Sequence, residues 1–303
     1  MKYPLDKELH SLCWHKIPRK LKLFPILNMI LGLFPCMSDA KVEVSVRKIS
    51  GYENATLKML IIEPKKNSAD MPCLVYFHGG GFLLKASGSH YKIAKEYAQK
   101  LLCKVVIVDY RLAPKHSFPV PVEDCFATYR WVLDNAEMFG IDTNKIMLGG
   151  DSAGGNLATA VTLMARDRQL PLPTALFLIY PVTDRRMLTK SMKEYIDTPV
   201  WNAELTKMMW EAYLGKKTPE HMEYASPMEA ASFKQFPPTY VEVAEYDALR
   251  DEGILLYERL KKENIDAELY EIKNACHGFE VVVNSTIIRK CMSRRIKWLQ
   301  RFI

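Results

Sequence analysis

The sequence contains no CxxC pair, no Gly-Lys-Ser/Thr after a glycine-rich turn, no internal repeat, no low-complexity tract and no linker. Each absence removes a class of protein. Seven cysteines in 303 residues, odd in number and irregularly spaced, do not form a disulfide framework or a zinc site. They read as reduced core residues of a cytoplasmic protein. Without the lysine of a nucleotide-binding loop, the glycine clusters are not phosphate cradles. Without repeats or linkers, a single domain is expected over residues 1–303.

Long apolar runs are also missing. Residues 23–37 carry no charge and follow Arg19, Lys20 and Lys22, but they are too few to span a bilayer. Pro25 and Pro35 interrupt them and no small-x-small site follows, which argues against a signal peptide. The segment is expected to be helical cover packed on the protein, with no stable membrane insertion and no long hydrophobic lid or anchor for a lipid interface. The net charge of +7 is modest. Its densest run (Arg289, Lys290, Arg294, Arg295, Lys297 and Arg301) interleaves with Ile288, Cys291, Ile296, Trp298 and Leu299. That pattern is the solvated face of an amphipathic final helix, so no nucleic-acid partner is expected.

What is present is a large core: 49% of residues are hydrophobic against 25% charged. Residues 42–46 and 55–63 read as strands, and 73–77 and 104–108 as short apolar runs typical of buried central strands. A polar turn is expected at 65–70, between the second and third strands. Further strands are expected at 145–148, 175–180, 239–244 and 267–272, with helices at 89–102, 123–137, after residue 156 and after each of the last two strands. Eight strands, alternating with helices from the third onward, predict a mostly parallel α/β sheet covered on both faces. Residues 183–224 break the rhythm and are rich in Met, Trp and Tyr. Such side chains suit either ordinary core helices or an adaptable apolar surface. With residues 1–40, they are expected to form a cap.

The chemistry gathers where strands end, since ligands bind at the carboxyl ends of an open parallel sheet. Gly150-x-Ser152-x-Gly154 lies between a strand and a helix, the setting in which a serine hydroxyl is exposed on a sharp turn. The N–H of Ala153 then opens a helix, aimed where negative charge develops. His78-Gly79-Gly80-Gly81 follows the third strand and frees further backbone N–H groups. Asp247 follows the seventh strand, where a carboxylate orients a histidine; Glu245 and Asp251 compete with it, though capping is the expected duty of Asp251. His277, in a Gly-flanked loop after the last strand, completes the order Ser…Asp…His. The other histidines (His10, His15, His90, His116 and His221) have no such setting.

Together, His78-Gly79-Gly80-Gly81, the stretch from Gly150 and Asp151 to Asn156, Asp247 to Gly253 and His277-Gly278-Phe279 resemble the hormone-sensitive-lipase-like (bacterial family IV) carboxylesterases. Tyr110 to Pro114, Tyr180 to Asp184 and Ala225-Ser226-Pro227 are also similar, while Lys115 departs from an acidic position of that family. The resemblance implies an α/β-hydrolase fold and a Ser152–His277–Asp247 triad. It implies oxyanion donors at Gly80, Gly81 and Ala153, with His78, Gly79, Gly150, Asp151 and Gly154 as motif support. No metal and no cofactor is implied; the partner is a small ester, and a homodimer is left open. The expected substrates are short acyl esters, acetyl to hexanoyl, beneath a cap bearing Trp14, Trp201 and Trp210. The alternatives are an inert binding protein on the same fold, or a lipase or amidase on the same triad.

Overall fold

A computed structural model of the chain describes residues 2–66, 70–216 and 219–303. The polar turn expected at 65–70 and the segment 183–224 therefore fall partly outside the described residues. Helix α1 (Phe24–Gly32) precedes strands β1 (Val42–Ser50), β2 (Thr56–Pro64) and β3 (Met71–Phe77). Then come α2 (Gly88–Leu101), β4 (Lys104–Val108), α3 (Val120–Asp134), β5 (Ile141–Asp151), α4 (Ala153–Asp167) and β6 (Leu176–Ile179). Two helices, α5 (Lys190–Glu194) and α6 (Ala203–Leu214), lead to β7 (Thr239–Tyr246), α7 (Arg250–Lys262), β8 (Ala267–Cys276) and α8 (Thr286–Leu299).

The strands form one sheet in the order β1-β2-β4-β3-β5-β6-β7-β8. β2 runs antiparallel to both of its neighbours and every other pairing is parallel. Residues of the central strands are apolar without alternation because both faces are covered. Val75 and Phe77 of β3 pack with α3, α4 and α7, while Leu74 and Tyr76 pack with α2 and α8. After β3 the chain leaves to make β4 and returns to make β5 on the other side. The β3 and β5 ends thus flank the switch point, where loops splay apart and a ligand is accommodated.

β1 and β8 run longer than their apolar patterns suggest. β1 pairs with β2 residue by residue from Val42 to Ser50, so backbone pairing extends it through Arg47 and Lys48. β8 continues past polar Lys273 and Asn274, with an irregularity, until Cys276 pairs with Tyr246. That extension delivers His277 directly from the sheet.

Three expectations are corrected. The segment 23–37 is helical and packs on the protein by one face only: Phe24 is the only buried residue of α1, and Ile26, Met29, Leu33, Phe34 and Met37 are exposed. Asn28 fixes its inner side, donating to the Leu83 carbonyl at 2.8 Å and accepting from the Lys85 N–H at 2.9 Å. In 183–224, most bulky side chains are core. Tyr213 stacks on Phe82 at 3.7 Å between centroids and Trp210 packs beside them, because α6 buries one amphipathic stripe against the loop after β3. Finally, Arg295 does not belong to a solvated face. It is fully buried in α8, between Glu242 of β7 and Glu280 in the turn after His277, and Tyr180 donates to the same Glu280. Two acids beneath the helix require a cation there, which the hydrophobic period of α8 does not reveal.

This buried pairing yields a stability test. Arg295→Met leaves Glu242 and Glu280 without their counter-charge, so it should destabilise the fold by about 3–5 kcal/mol in urea titrations. Lys297→Met, on the exposed face of the same helix, should change stability by less than about 0.5 kcal/mol. Equal effects of the two substitutions would mean that the buried cation is not required.

Candidate active site

The β5–α4 turn sets the geometry. Ser152 sits at φ 54° and ψ −120°, between the strand and the first residue of the helix. Its N–H donates to the Ile179 carbonyl at 2.8 Å and its carbonyl accepts from the Val182 N–H at 3.1 Å, so the end of β6 clamps the turn. A Cβ on Gly154 would collide with the Phe77 carbonyl, and one on Gly150 would meet the same carbonyl oxygen at 2.5 Å. The missing side chains let α4 rest directly on the end of β3.

His277 is buried and joins two partners. Its Nε2 lies 2.9 Å from Ser152 Oγ and its Nδ1 lies 2.7 Å from Asp247 Oδ2. Asp247 is fully buried, and its other oxygen accepts from the Leu249 N–H at 2.9 Å. That second bond fixes the carboxylate, and hence the imidazole plane. The competing acids are committed elsewhere. Glu245 accepts from the Asn274 N–H at 2.8 Å, pointing to β8. Asp251 accepts from the Ser191 N–H at 2.7 Å and pairs with Arg250. It holds α5, whereas the N-terminal cap of its own helix is Leu249, so the capping duty expected for it is corrected.

The loop after β3 supplies backbone donors. Gly80 and Gly81 adopt φ of 109° and 63°, conformations that favour glycine. Among the described residues, the N–H groups of Gly80, Gly81 and Ala153 donate to no protein acceptor. Gly79 differs, because its N–H donates to Asp151 Oδ1 at 3.0 Å. His78 braces the loop: its ring stacks on Tyr110 with centroids 4.4 Å apart, and its Nδ1–H donates to the Gly79 carbonyl at 2.8 Å. Burial, with His90 nearby, pushes the His78 imidazole down to about 4, so it is neutral at physiological pH.

Asp151 joins these parts and brings in a residue that the sequence reading passed over. One carboxylate oxygen accepts from the Tyr76 hydroxyl and the Gly79 N–H; the other lies 3.2 Å from His90 Nε2. The Ser87 N–H donates to His90 Nδ1 at 3.0 Å, which leaves the proton on Nε2 to face Asp151. His90 opens α2, where helical spacing gave no hint of a site. The available signal was Ser87-x-x-His90, a variant of the capping box.

A cavity of about 420 Å³ lies over Ser152 and His277. Trp201 and Val200 wall one side, while Ile17, Leu27, Ile30 and Leu31 wall the other. Of the three tryptophans expected over the site, only Trp201 lines this cavity. Trp14 is exposed and Trp210 is buried against Phe82. Among the described residues, no group of three or more His, Cys, Asp or Glu is arranged for a metal ion, and no helix is long and apolar enough to cross a membrane. The arrangement can move a proton from a hydroxyl to an imidazole and offer N–H donors to an anion.

Comparison with known proteins agrees with this architecture. Residues 74–281 match a family model described as the alpha/beta hydrolase fold. Carboxylesterase NlhH of Mycobacterium tuberculosis is 30% identical over 280 residues, covering 84% of this chain and 88% of that protein. Esterase LipI of the same species is 34% identical over 217 residues, 70% of this chain and 67% of its own length. Among solved structures, a bacterial heroin esterase superposes with a TM-score of 0.90 at 30% identity over 99% of both chains.

Glu252, in the first turn of α7, offers a test of the site's surroundings. Its carboxylate accepts from the N–H groups of Thr183 and Asp184, both at 3.0 Å. Those bonds favour the charged form, but burial outweighs them, aided by the nearby charges of Asp184 and Asp247, and pushes the carboxyl up to about 8. The unfolded chain ionises this group near its ordinary value while the fold keeps it protonated. Its stabilising contribution is therefore complete below about pH 4.5 and declines as pH rises towards about 8. Glu252→Gln keeps an acceptor oxygen without the titration. Relative to wild type, its urea-unfolding stability should rise steadily between about pH 5 and pH 8. A difference independent of pH would show that Glu252 is charged in the fold.

Proposed function

The chain belongs to the α/β-hydrolase family, in its hormone-sensitive-lipase-like branch of ester hydrolases, and from that premise we propose a serine carboxylesterase acting on short acyl esters. The observation that carries the reading is the unbroken hydrogen-bonded chain from Ser152 Oγ through His277 to Asp247, with the hydroxyl opening into an apolar cavity. In this reading, Ser152 Oγ attacks the ester carbonyl carbon as its proton passes to His277 Nε2. Asp247 holds the imidazole in the required tautomer and stabilises its cation. The carbonyl oxygen becomes an oxyanion facing the free N–H groups of Gly80, Gly81 and Ala153, donors typically worth about 3 kcal/mol each. Collapse breaks the bond to the alcohol oxygen, which leaves with the proton from His277. Water then gives a proton to His277 and attacks the acyl-enzyme, releasing the acid and restoring Ser152.

Ser152→Ala, His277→Ala and Asp247→Asn should each lower kcat/KM for p-nitrophenyl acetate by roughly 10⁴-fold or more while leaving far-UV circular dichroism unchanged. Double substitutions should be little worse, because the three groups act as one unit. The assignment fails if Asp251→Asn proves as damaging as Asp247→Asn, or if the Ser152→Ala protein retains burst release.

The short-chain preference is supported by size. The cavity of about 420 Å³ sits near the low end of the roughly 300–1,000 Å³ common for small-molecule sites. Trp201 closes it from above the glycine loop, so closely that a Cβ on Gly81 would strike the indole. Each methylene that fits gains about 0.8 kcal/mol, and one that meets the wall costs more. Across p-nitrophenyl esters below their micelle concentrations, kcat/KM should peak between acetate and hexanoate and fall sharply beyond about eight carbons. A profile still rising at palmitate would point to a lipase.

A further inference from the structure

Helix α1 has two apolar faces, and only one is used by the protein. Phe24, Leu27, Asn28 and Leu31 face inward, where Leu27 and Leu31 line the cavity and Asn28 holds the loop after β3. Ile26, Met29 and Leu33 recur at helical spacing on the other side. Met29 is 65% exposed, Leu33 69%, and the following Phe34 and Met37 are 64% and 66% exposed. A helix apolar all round is normally buried all round. Here the outer stripe meets no protein.

The charge around this stripe selects its occupant. No Asp or Glu occurs from residue 9 to residue 38, while Lys16, Arg19, Lys20 and Lys22 all lie in that stretch. Arg19 pairs with Glu204, but among the described residues Lys16, Lys20 and Lys22 have no acidic partner. Trp14, in the same stretch, is 85% exposed, and tryptophan favours the water–lipid boundary. We propose that α1 and the residues after it dock this protein reversibly on an anionic phospholipid surface, with the outer stripe in the headgroup–acyl boundary and the lysines against phosphate. Nine helical residues rise only about 14 Å, far short of the roughly 30 Å hydrocarbon core, so the helix lies in the interface plane and does not cross it. A second copy is the weaker fit. A two-fold pairing through α1 sets the same uncompensated lysines of two chains near one another. Because the inner stripe of α1 lines the cavity, docking brings that cavity close to the lipid surface.

The test is co-sedimentation of the purified full chain with phosphatidylcholine vesicles, with and without about one-third phosphatidylglycerol. Binding is expected only with the anionic lipid and should weaken with salt. Each lysine near the surface contributes roughly fivefold to partitioning, so Lys20→Glu/Lys22→Glu should lose well over tenfold. Leu33→Glu/Phe34→Glu should also lose roughly tenfold or more, through lost apolar contact and added negative charge. Both variants should hydrolyse dissolved p-nitrophenyl acetate as wild type does, which excludes misfolding. Absence of wild-type binding to anionic vesicles, or unchanged binding by Leu33→Glu/Phe34→Glu, overturns the proposal. So does a wild-type dimer in sedimentation velocity that Leu33→Glu/Phe34→Glu dissociates without vesicle binding, which assigns the face to a second copy.

Discussion

Everything at this site depends on how closely α4 approaches β3. Gly154, in the first turn of the helix, lies against the last carbonyl of the strand, and Gly150 lies against both. That contact forces the reversal at Ser152, whose positive φ costs on the order of 1–3 kcal/mol and survives only because neighbours hold it. Ile179 and Val182 do so through the backbone of Ser152 itself. The same approach brings the Ala153 N–H towards the loop that carries Gly80 and Gly81. A methyl group at either glycine pushes the helix off the strand and separates the two halves of the donor set.

Buried ionisable side chains then lock the loops to one another. Asp151 ties the serine turn to Tyr76, Gly79 and His90. Glu252 ties α7 to the turn after β6, beside Asp247. Arg295 ties α8 to β7 and to the turn after His277, through Glu242 and Glu280. Each of these groups carries a desolvation penalty offset only by well-made partners, and truncating one member strands the rest. The carboxyl ends of five strands are joined by these few side chains. Lys115, which departs from the family pattern, is exposed and outside them, while the nearby Arg111 pairs with Asp124 at 2.8 Å.

The N-terminal region behaves differently from the sheet. Leu9 and Leu12 are buried with the α2–α8 face, and the Asp6 N–H bonds to the Asn274 carbonyl. This anchors the chain beside β8 before it crosses to α1. From there only one side of the helix is used for packing. The cavity is consequently walled by Trp201, buried and donating to Thr206, and by a helix whose other face meets no protein.

By itself the sequence determined the sheet and the order of its elements and singled out Ser152 and His277, because each follows from local pattern, while it left Asp247 in competition with Glu245 and Asp251. Buried strands are uninterrupted apolar runs, and sharp turns need glycine at fixed spacing. The resemblance added Asp247 as the acid and Gly80 and Gly81 as the loop's donors. Only the tertiary structure decided which polar residues are buried. Arg295 looked solvated because helical spacing reports apolar neighbours, not the two acids contributed by β7 and the His277 turn. His90 looked idle because its partner Asp151 is 61 residues away. Likewise, Trp201, Trp210 and Trp14 were equivalent as letters, yet one walls the cavity, one is core and one faces water. Burial and pairing are relations between distant segments, and composition along the chain does not encode the distance between them.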